Sequence, residues 1–112
     1  MFKTFILLFL FCGFVNAQDY KSDISVVQYS ASFVKDNELN LKKFNEHNTH
    51  YFYIETDKKL FENDKIKYLP TIVIFQNGKE ILRIESGVSL KLPEDAAKKI
   101  DRKLNELLQN KF

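Results

Sequence analysis

The spacing of apolar residues changes several times along this chain, and each change marks a predicted element. β-branched residues are concentrated in 24–29, and aromatic and aliphatic residues alternate in 51–56, so both segments are predicted to be strands. The continuous apolar run over 71–75 is typical of a central strand that is covered on both faces. Apolar residues alternate again in 80–85, after an Asn-Gly pair at 77–78. Asn-Gly is a strong hairpin signal because both residues accept positive φ, so we expect the last two strands to be antiparallel.

Three other segments have apolar residues at helical spacing. The first covers residues 33–47, although an Asp-Asn pair at 36–37 weakens its start. The second covers residues 58–66 with Asp57 as its cap, and the third begins at Pro93, which suits a first helical turn. The predicted inward faces are Phe33, Val34, Leu41 and Phe44, then Leu60, Phe61 and Ile66, and finally Ala96, Ala97, Ile100, Leu104, Leu107 and Leu108. The predicted order of elements is β-α-β-α-β-β-α.

The first residues have the pattern of a secretory signal. Lys3 provides a positive start, residues 5–15 are apolar, and residues 15–17 present small or modest side chains to a signal peptidase. The apolar run is shorter than the roughly 20 residues that span a bilayer. We predict a signal peptide over 1–17, a mature chain that begins at Gln18, and a secreted or periplasmic protein without stable membrane insertion. A retained N-terminal anchor is the alternative.

The sequence contains one cysteine, Cys12, and it lies in the predicted leader. Export leads to an oxidising compartment in which disulfides are allowed. The predicted mature domain, residues 18–112, has no thiol with which to form one. Its fold must therefore be held by its apolar core. Lipidation of Cys12 is an alternative, although bulky Phe11 stands where a lipobox has a small residue.

Composition narrows the classes of partner. A chain of 112 residues allows one domain, and its net charge of +2 is spread over interleaved Lys and Glu. This charge pattern gives no reason to expect nucleic acid. His47 and His50 have no third ligand nearby in sequence, and no phosphate-binding loop or Ser-His-Asp arrangement is present. We therefore expect no metal site and no cofactor.

Three short motifs carry a resemblance to a known family, namely residues 26–31, the Leu69-Pro70-Thr71 segment and Gly87. They resemble motifs of the thioredoxin-like family, in which residues 26–31 look like the strand that leads into the active site. Leu69-Pro70-Thr71, followed by the apolar run, looks like the family's signature of a cis-proline before a strand, and Gly87 matches a family glycine. The resemblance covers roughly residues 24–109 and implies a minimal α/β fold. That fold would have a four-stranded mixed sheet of order 2-1-3-4 with the last strand antiparallel, and would lack the family's usual first strand and helix.

The departures from the family bear on activity. Val34 and Asn37 fall at the two cysteine positions, Phe33 at the tryptophan position and Gln28 at the position of the buried acid. A thioredoxin attacks a disulfide with one thiolate and resolves the intermediate with a second thiol. Because neither thiol nor acid is present, the resemblance implies a redox-inactive protein that is not an enzyme.

The candidate binding site is an apolar surface around Pro70, comprising Phe33, Val34, Leu69, Pro70 and Thr71. The resemblance implies a cis-Pro70 beside the first helix, and an ordinary trans-proline is the alternative. Phe33 and Val34 either form a docking surface for a partner or turn inward and pack, and the sequence leaves both arrangements open.

The function predicted from these features is an exported, redox-inactive thioredoxin-like module that binds or scaffolds a protein or peptide. The alternatives are a redox or folding component that depends on a partner's thiols, and a structural protein of a secreted assembly. A fold alone does not distinguish among them.

Overall fold

The structure is a computed structural model that describes residues 19–111, so the predicted leader lies outside the described residues. The strands are β1 (Ile24–Ser30), β2 (Asn48–Tyr53), β3 (Thr71–Gln76) and β4 (Lys79–Glu85). The α-helices are α1 (Ile54–Asn63) and α2 (Ala96–Lys111). Short 3-10 helices cover Asp19–Lys21, Ser32–Asn37, Lys42–Phe44 and Gly87–Ser89. None of the helices in the described part is long and apolar enough to cross a membrane.

The four strands form one mixed sheet of order β2-β1-β3-β4. β1 is parallel to β2 and antiparallel to β3, and β4 is antiparallel to β3. The predicted sheet order and the antiparallel last strand are confirmed. The sequence of β3 accounts for its interior position. A run such as 71–75 suits a strand that is covered on both faces, and all five of these residues are buried.

Each face of the sheet carries its own apolar cluster, because successive side chains of a strand point to opposite faces. Val26 joins the cluster that contains Ile100 and Leu104 of α2, whereas Val27 joins the cluster that contains Phe61 of α1. Helices therefore cover both faces, as predicted. Both valines are fully buried, so β1 contributes to the two halves of the core equally.

The predicted helix over 33–47 takes the form of two short 3-10 helices, with the non-helical residues 38–41 between them. Gln28, fully buried on β1, accounts for the interruption. Its amide N–H donates to the carbonyl of Leu39 at 2.7 Å, and its amide oxygen accepts from the Leu39 N–H at 2.8 Å. Because the Leu39 N–H is already bound to this side chain, it cannot donate within a helical hydrogen-bond ladder.

The predicted boundary between the second strand and its helix is wrong by several residues. β2 ends at Tyr53 and α1 begins at Ile54, so residues 54–56 are helical rather than extended. Asp57 does not cap the helix, since it lies inside α1 at a kink with φ −125° and ψ 37°. The Thr56 hydroxyl donates to the Tyr53 carbonyl at 3.2 Å, and this bond closes the first turn before Asp57 is reached.

The predicted hairpin is confirmed, because Asn77 and Gly78 both have positive φ, at 51° and 87°. The last helix starts later than predicted. The N–H of Ala96 donates to the carbonyl of Pro93 at 3.0 Å, so Pro93 lies just ahead of α2 rather than within it. Ala96, Ile100 and Leu104 are buried, which confirms the core of its predicted inward face.

Candidate functional site

Strand register brings the candidate residues to one end of the sheet. Tyr29, near the end of β1, is paired with Thr71, the first residue of β3. Thr71 is paired in turn with Glu85, the last residue of β4. The segments that follow β1, precede β3 and follow β4 must therefore meet at this end. We call the five candidate residues there the Phe33 surface: Phe33, Val34, Leu69, Pro70 and Thr71.

Only one of these side chains is prominently exposed. The side chain of Phe33 is 72% exposed, whereas Val34 is 2% exposed and packs inward. Pro70 and Thr71 are buried, and Leu69 is half-buried against the cluster around Phe61. The Leu69–Pro70 peptide bond is cis. The sequence left open whether Phe33 and Val34 face solvent or pack inward. In the structure Phe33 faces solvent and Val34 packs inward.

The structure adds exposed apolar residues that the sequence interpretation missed. Val88 is 94% exposed, and Tyr68 and Leu90 also present large apolar side chains to solvent. The amide of Asn37 donates to the Leu90 carbonyl at 2.8 Å, which joins the loop after β4 to the 3-10 helix that carries Phe33. The only sequence signal for an exposed Val88 was its position directly after a glycine. In the structure that glycine, Gly87, has a φ of 75° and lies in a turn.

Hydrogen bonds hold the backbone on both sides of the Phe33 surface. The Ser32 N–H donates to the Glu55 carboxylate at 2.9 and 3.3 Å, and these bonds hold the pKa of Glu55 below its ordinary value. On the other side, the Thr71 hydroxyl donates to the Tyr68 carbonyl at 2.6 Å. These bonds hold the backbone next to Phe33 and next to Pro70 in place.

A second network holds the chain between the two 3-10 helices against the sheet. Glu38 accepts hydrogen bonds from the hydroxyls of Ser30 at 2.8 Å and Tyr53 at 3.2 Å. Burial, together with the bond to Glu38, raises the pKa of Tyr53. Tyr51 accepts a hydrogen bond from the Leu41 N–H at 2.7 Å. An open groove of about 540 Å³ lies beside this network, lined by Lys35, Asp36, Glu38, Leu39, Asn40, Tyr51 and Tyr53.

The side chains at the positions that the resemblance assigns to the family's cysteines and acid limit the chemistry available near the Phe33 surface. Val34 and Asn37 occupy the positions where the resemblance expects cysteines, and Val34 is buried in the core. Gln28 occupies the position of the family's acid, and both ends of its amide are bound to Leu39. The side chains of Val34, Asn37 and Gln28 cannot act as nucleophiles or transfer a proton at neutral pH.

A separate polar cluster surrounds the carboxylate of Asp64, which lies at the end of α1. The hydroxyls of Tyr20 and Tyr29 donate to one carboxylate oxygen at 2.7 and 2.6 Å. The ammonium of Lys21 lies 2.7 Å from the other oxygen. Burial and the hydrogen bond to Asp64 raise the pKa of both tyrosines well above the ordinary value. The cluster ties the Asp19–Lys21 helix and the end of α1 to β1, and we assign it a structural role.

The two histidines lie in different settings. His50 lies within β2 and stacks on Phe52, with ring centroids 5.9 Å apart and planes within 4° of parallel. Burial lowers the pKa of His50. His47 lies in the turn before β2. In the described part of the chain, no three His, Cys, Asp or Glu side chains are grouped so that they could hold a metal ion.

Solved structures with the same arrangement include thioredoxins. The germline-specific thioredoxin Deadhead from Drosophila melanogaster has a TM-score of 0.59 and 16% identity, covering 84% of this chain and 90% of its own. A mutant thioredoxin from Halobacterium salinarum has a TM-score of 0.55 and 15% identity, covering 77% and 78%. A designed protein has a TM-score of 0.57 and 22% identity, covering 83% and 82%.

At these identities the likeness establishes a thioredoxin-like fold and says nothing about activity. No protein-family model matches the sequence, and no curated protein matches it.

Proposed function

We propose that the mature chain is an exported, redox-inactive thioredoxin-like module that binds a protein or peptide through the Phe33 surface. The observation that carries the proposal is the outward position of Phe33, 72% exposed on a backbone held by Glu55. Val88 and Leu90 are further exposed apolar residues, on the loop that is hydrogen-bonded to Asn37 of the same 3-10 helix. Single exposed apolar residues are common, whereas several on two loops that are joined to each other are more typical of a contact site.

Export is proposed from the signal pattern of residues 1–17 and would place the protein in the periplasm or outside the cell. The proposal of redox inactivity rests on the sequence, since residues 18–112 contain no cysteine. A binding role is compatible with export and with redox inactivity, because binding a partner by surface contacts requires neither a thiol nor a cofactor. The competing function is a redox component that uses a partner's thiols, and it rests on the thioredoxin-like fold alone.

Replacing Phe33 by aspartate tests the binding surface. Because the ring is largely exposed, the free energy of unfolding should change by no more than about 0.5 kcal/mol. Partner retention should be lost, since the apolar contact is replaced by a charge. Tagged wild type, Phe33→Asp and Asn45→Asp would be compared in pull-downs from the exporting cell. Asn45→Asp is the matched control because it adds the same charge at an exposed residue in the turn before β2, at the opposite end of the sheet from the Phe33 surface.

Two results would contradict this assignment. A large drop in melting temperature for Phe33→Asp would mean that the ring supports the core, where an unpaired buried charge costs several kcal/mol. Retention of the same partner by wild type and Phe33→Asp alike would mean that binding occurs elsewhere.

A reductase assay tests redox inactivity. The exported protein should not accelerate the reduction of insulin by dithiothreitol, because it has no thiol with which to form a mixed disulfide. The matched comparison is the double variant Val34→Cys/Asn37→Cys, which restores a thiol pair at the positions that the resemblance implies. Acceleration by the unmodified protein above the rate with dithiothreitol alone would defeat the proposal.

A further inference from the structure

The two edges of the sheet differ in how they are protected. Among residues 19–111, β2 is paired only with β1, and β4 only with β3, so each of them leaves one edge open. β4 carries Lys79, Glu80, Arg83 and Glu85. β2, with the sequence Asn-Thr-His-Tyr-Phe-Tyr, contains no Lys, Arg, Asp, Glu or Pro.

This difference matters because an open edge presents unpaired backbone N–H and C=O groups that can pair with another strand. Proteins commonly protect such edges with charges, with lysine above all, or with proline. β4 follows that rule and β2 does not. β2 is instead rich in residues that favour strands, namely Thr49, Tyr51, Phe52 and Tyr53. The β2 edge is therefore the part of this sheet best suited to receive a further strand.

We propose that β2 pairs with β2 of a second copy of this chain, antiparallel about a two-fold axis, so that the two sheets become continuous. In the register that places Tyr51 opposite itself on the axis, His50 lies opposite Phe52 and Thr49 opposite Tyr53. Each such pair lies on one face, as antiparallel geometry requires. Aromatic–aromatic and aromatic–β-branched pairs are among the stabilising cross-strand combinations.

Self-complementarity favours a second copy over an unrelated strand. A two-fold interface brings the same surface together from both sides, so a charge on or next to the axis would lie close to its own copy. The absence of formal charge on β2 removes that penalty, whereas it would do nothing to select an acidic or basic partner. Tyr51 is 41% exposed at the middle of the strand, and the open groove beside it leaves room for Tyr51 of the second copy.

The β2 edge includes none of the residues of the Phe33 surface. Self-association through β2 therefore goes beyond the proposed binding function, and either of the two can fail without the other.

Sedimentation equilibrium tests the association on protein recovered from expression of the full 112-residue sequence. The weight-average mass should rise toward twice the monomer value as concentration increases. Thr49→Lys should weaken association by about tenfold or more, because a lysine on the edge hinders strand addition. His47→Lys adds the same charge in the turn just before β2 and should leave association nearly unchanged. Both variants should keep the wild-type circular dichroism spectrum.

A monomeric mass at every concentration would overturn the proposal. The β2 edge would then be available only to a strand of a different polypeptide. Equal association of wild type and Thr49→Lys would overturn it as well, since the contact would then lie elsewhere on the molecule.

Cysteine cross-linking tests the register. In a Cys12→Ser background, Tyr51→Cys provides one thiol on the proposed two-fold axis. Residues directly opposite in an antiparallel pair have Cα atoms roughly 4.5–5.5 Å apart, a separation that a disulfide can bridge. Mild oxidation should give a covalent dimer of Tyr51→Cys and much less of Glu80→Cys, which places its thiol on the opposite edge. Equal yields from the two variants would contradict the proposed pairing.

Discussion

Replacement of Asp64 by alanine is expected to lower the free energy of unfolding by about 3–5 kcal/mol. The Asp64 side chain is 4% exposed, and its carboxylate accepts hydrogen bonds from Tyr20 and Tyr29 while it pairs with Lys21. The substitution leaves the buried Tyr29 hydroxyl, the partly buried Tyr20 hydroxyl and the partly buried Lys21 ammonium without their shared partner. A buried donor left unpaired loses the full free energy of its hydration, which is why the expected effect is large. Urea denaturation followed by circular dichroism measures it.

Asp36→Ala is the matched control for this prediction. Asp36 is exposed in the 3-10 helix after β1, so its removal should change the free energy of unfolding by no more than about 0.5 kcal/mol. Similar small effects of the two substitutions would show that the Asp64 cluster does not hold the Asp19–Lys21 helix and α1 to the sheet.

Gln28→Glu is expected to make the stability strongly dependent on pH. Gln28 donates to the Leu39 carbonyl and accepts from the Leu39 N–H. A protonated glutamic acid can make both bonds, whereas the carboxylate loses the donor and faces the carbonyl oxygen. Burial and this contact should raise the pKa of the introduced acid above its unfolded value of about 4.3. The folded state then holds a proton that the unfolded state has released, so stability must fall as pH rises above that value.

The variant should therefore approach wild-type stability below about pH 4 and lose up to about 1.4 kcal/mol for each pH unit above it, until the folded-state pKa is passed. Denaturant midpoints measured from pH 3 to neutrality give the curve relative to wild type. Gln76→Glu, at the half-buried end of β3, serves as the control and should remain parallel to wild type. A pH-independent difference for Gln28→Glu would exclude the paired amide contact with Leu39.

The parts of the fold that were predictable from sequence are those with local causes. The apolar run of β3 specifies a covered strand, because no other position in a sheet accommodates five consecutive buried residues. The Asn77-Gly78 pair specifies the hairpin through its positive φ angles. The apolar spacing of α2 identifies the face that carries Ile100 and Leu104.

The errors arose where a distant group competes with local preference. The helical spacing of residues 33–47 is overridden by Gln28, which binds the backbone of Leu39 across eleven residues of chain. The boundary of β2 depends on where the helix that follows can pack, since the segment after Tyr53 is compatible with either strand or helix. Asp64 gave no local sign of its role, because its partners Tyr20 and Tyr29 come from the other end of the chain.

By itself, the sequence determined the order of the strands along the chain, the hairpin, the final helix and the absence of a thiol from residues 18–112. These depend on residue type and on spacing within a few positions. Only the tertiary structure decided that Phe33 points outward while Val34 packs inward, that Val88 lies at the same end of the sheet, and that β2 forms an uncharged edge. Exposure and adjacency depend on which elements pack together, and neighbouring apolar residues have no local property that separates a core position from a contact surface.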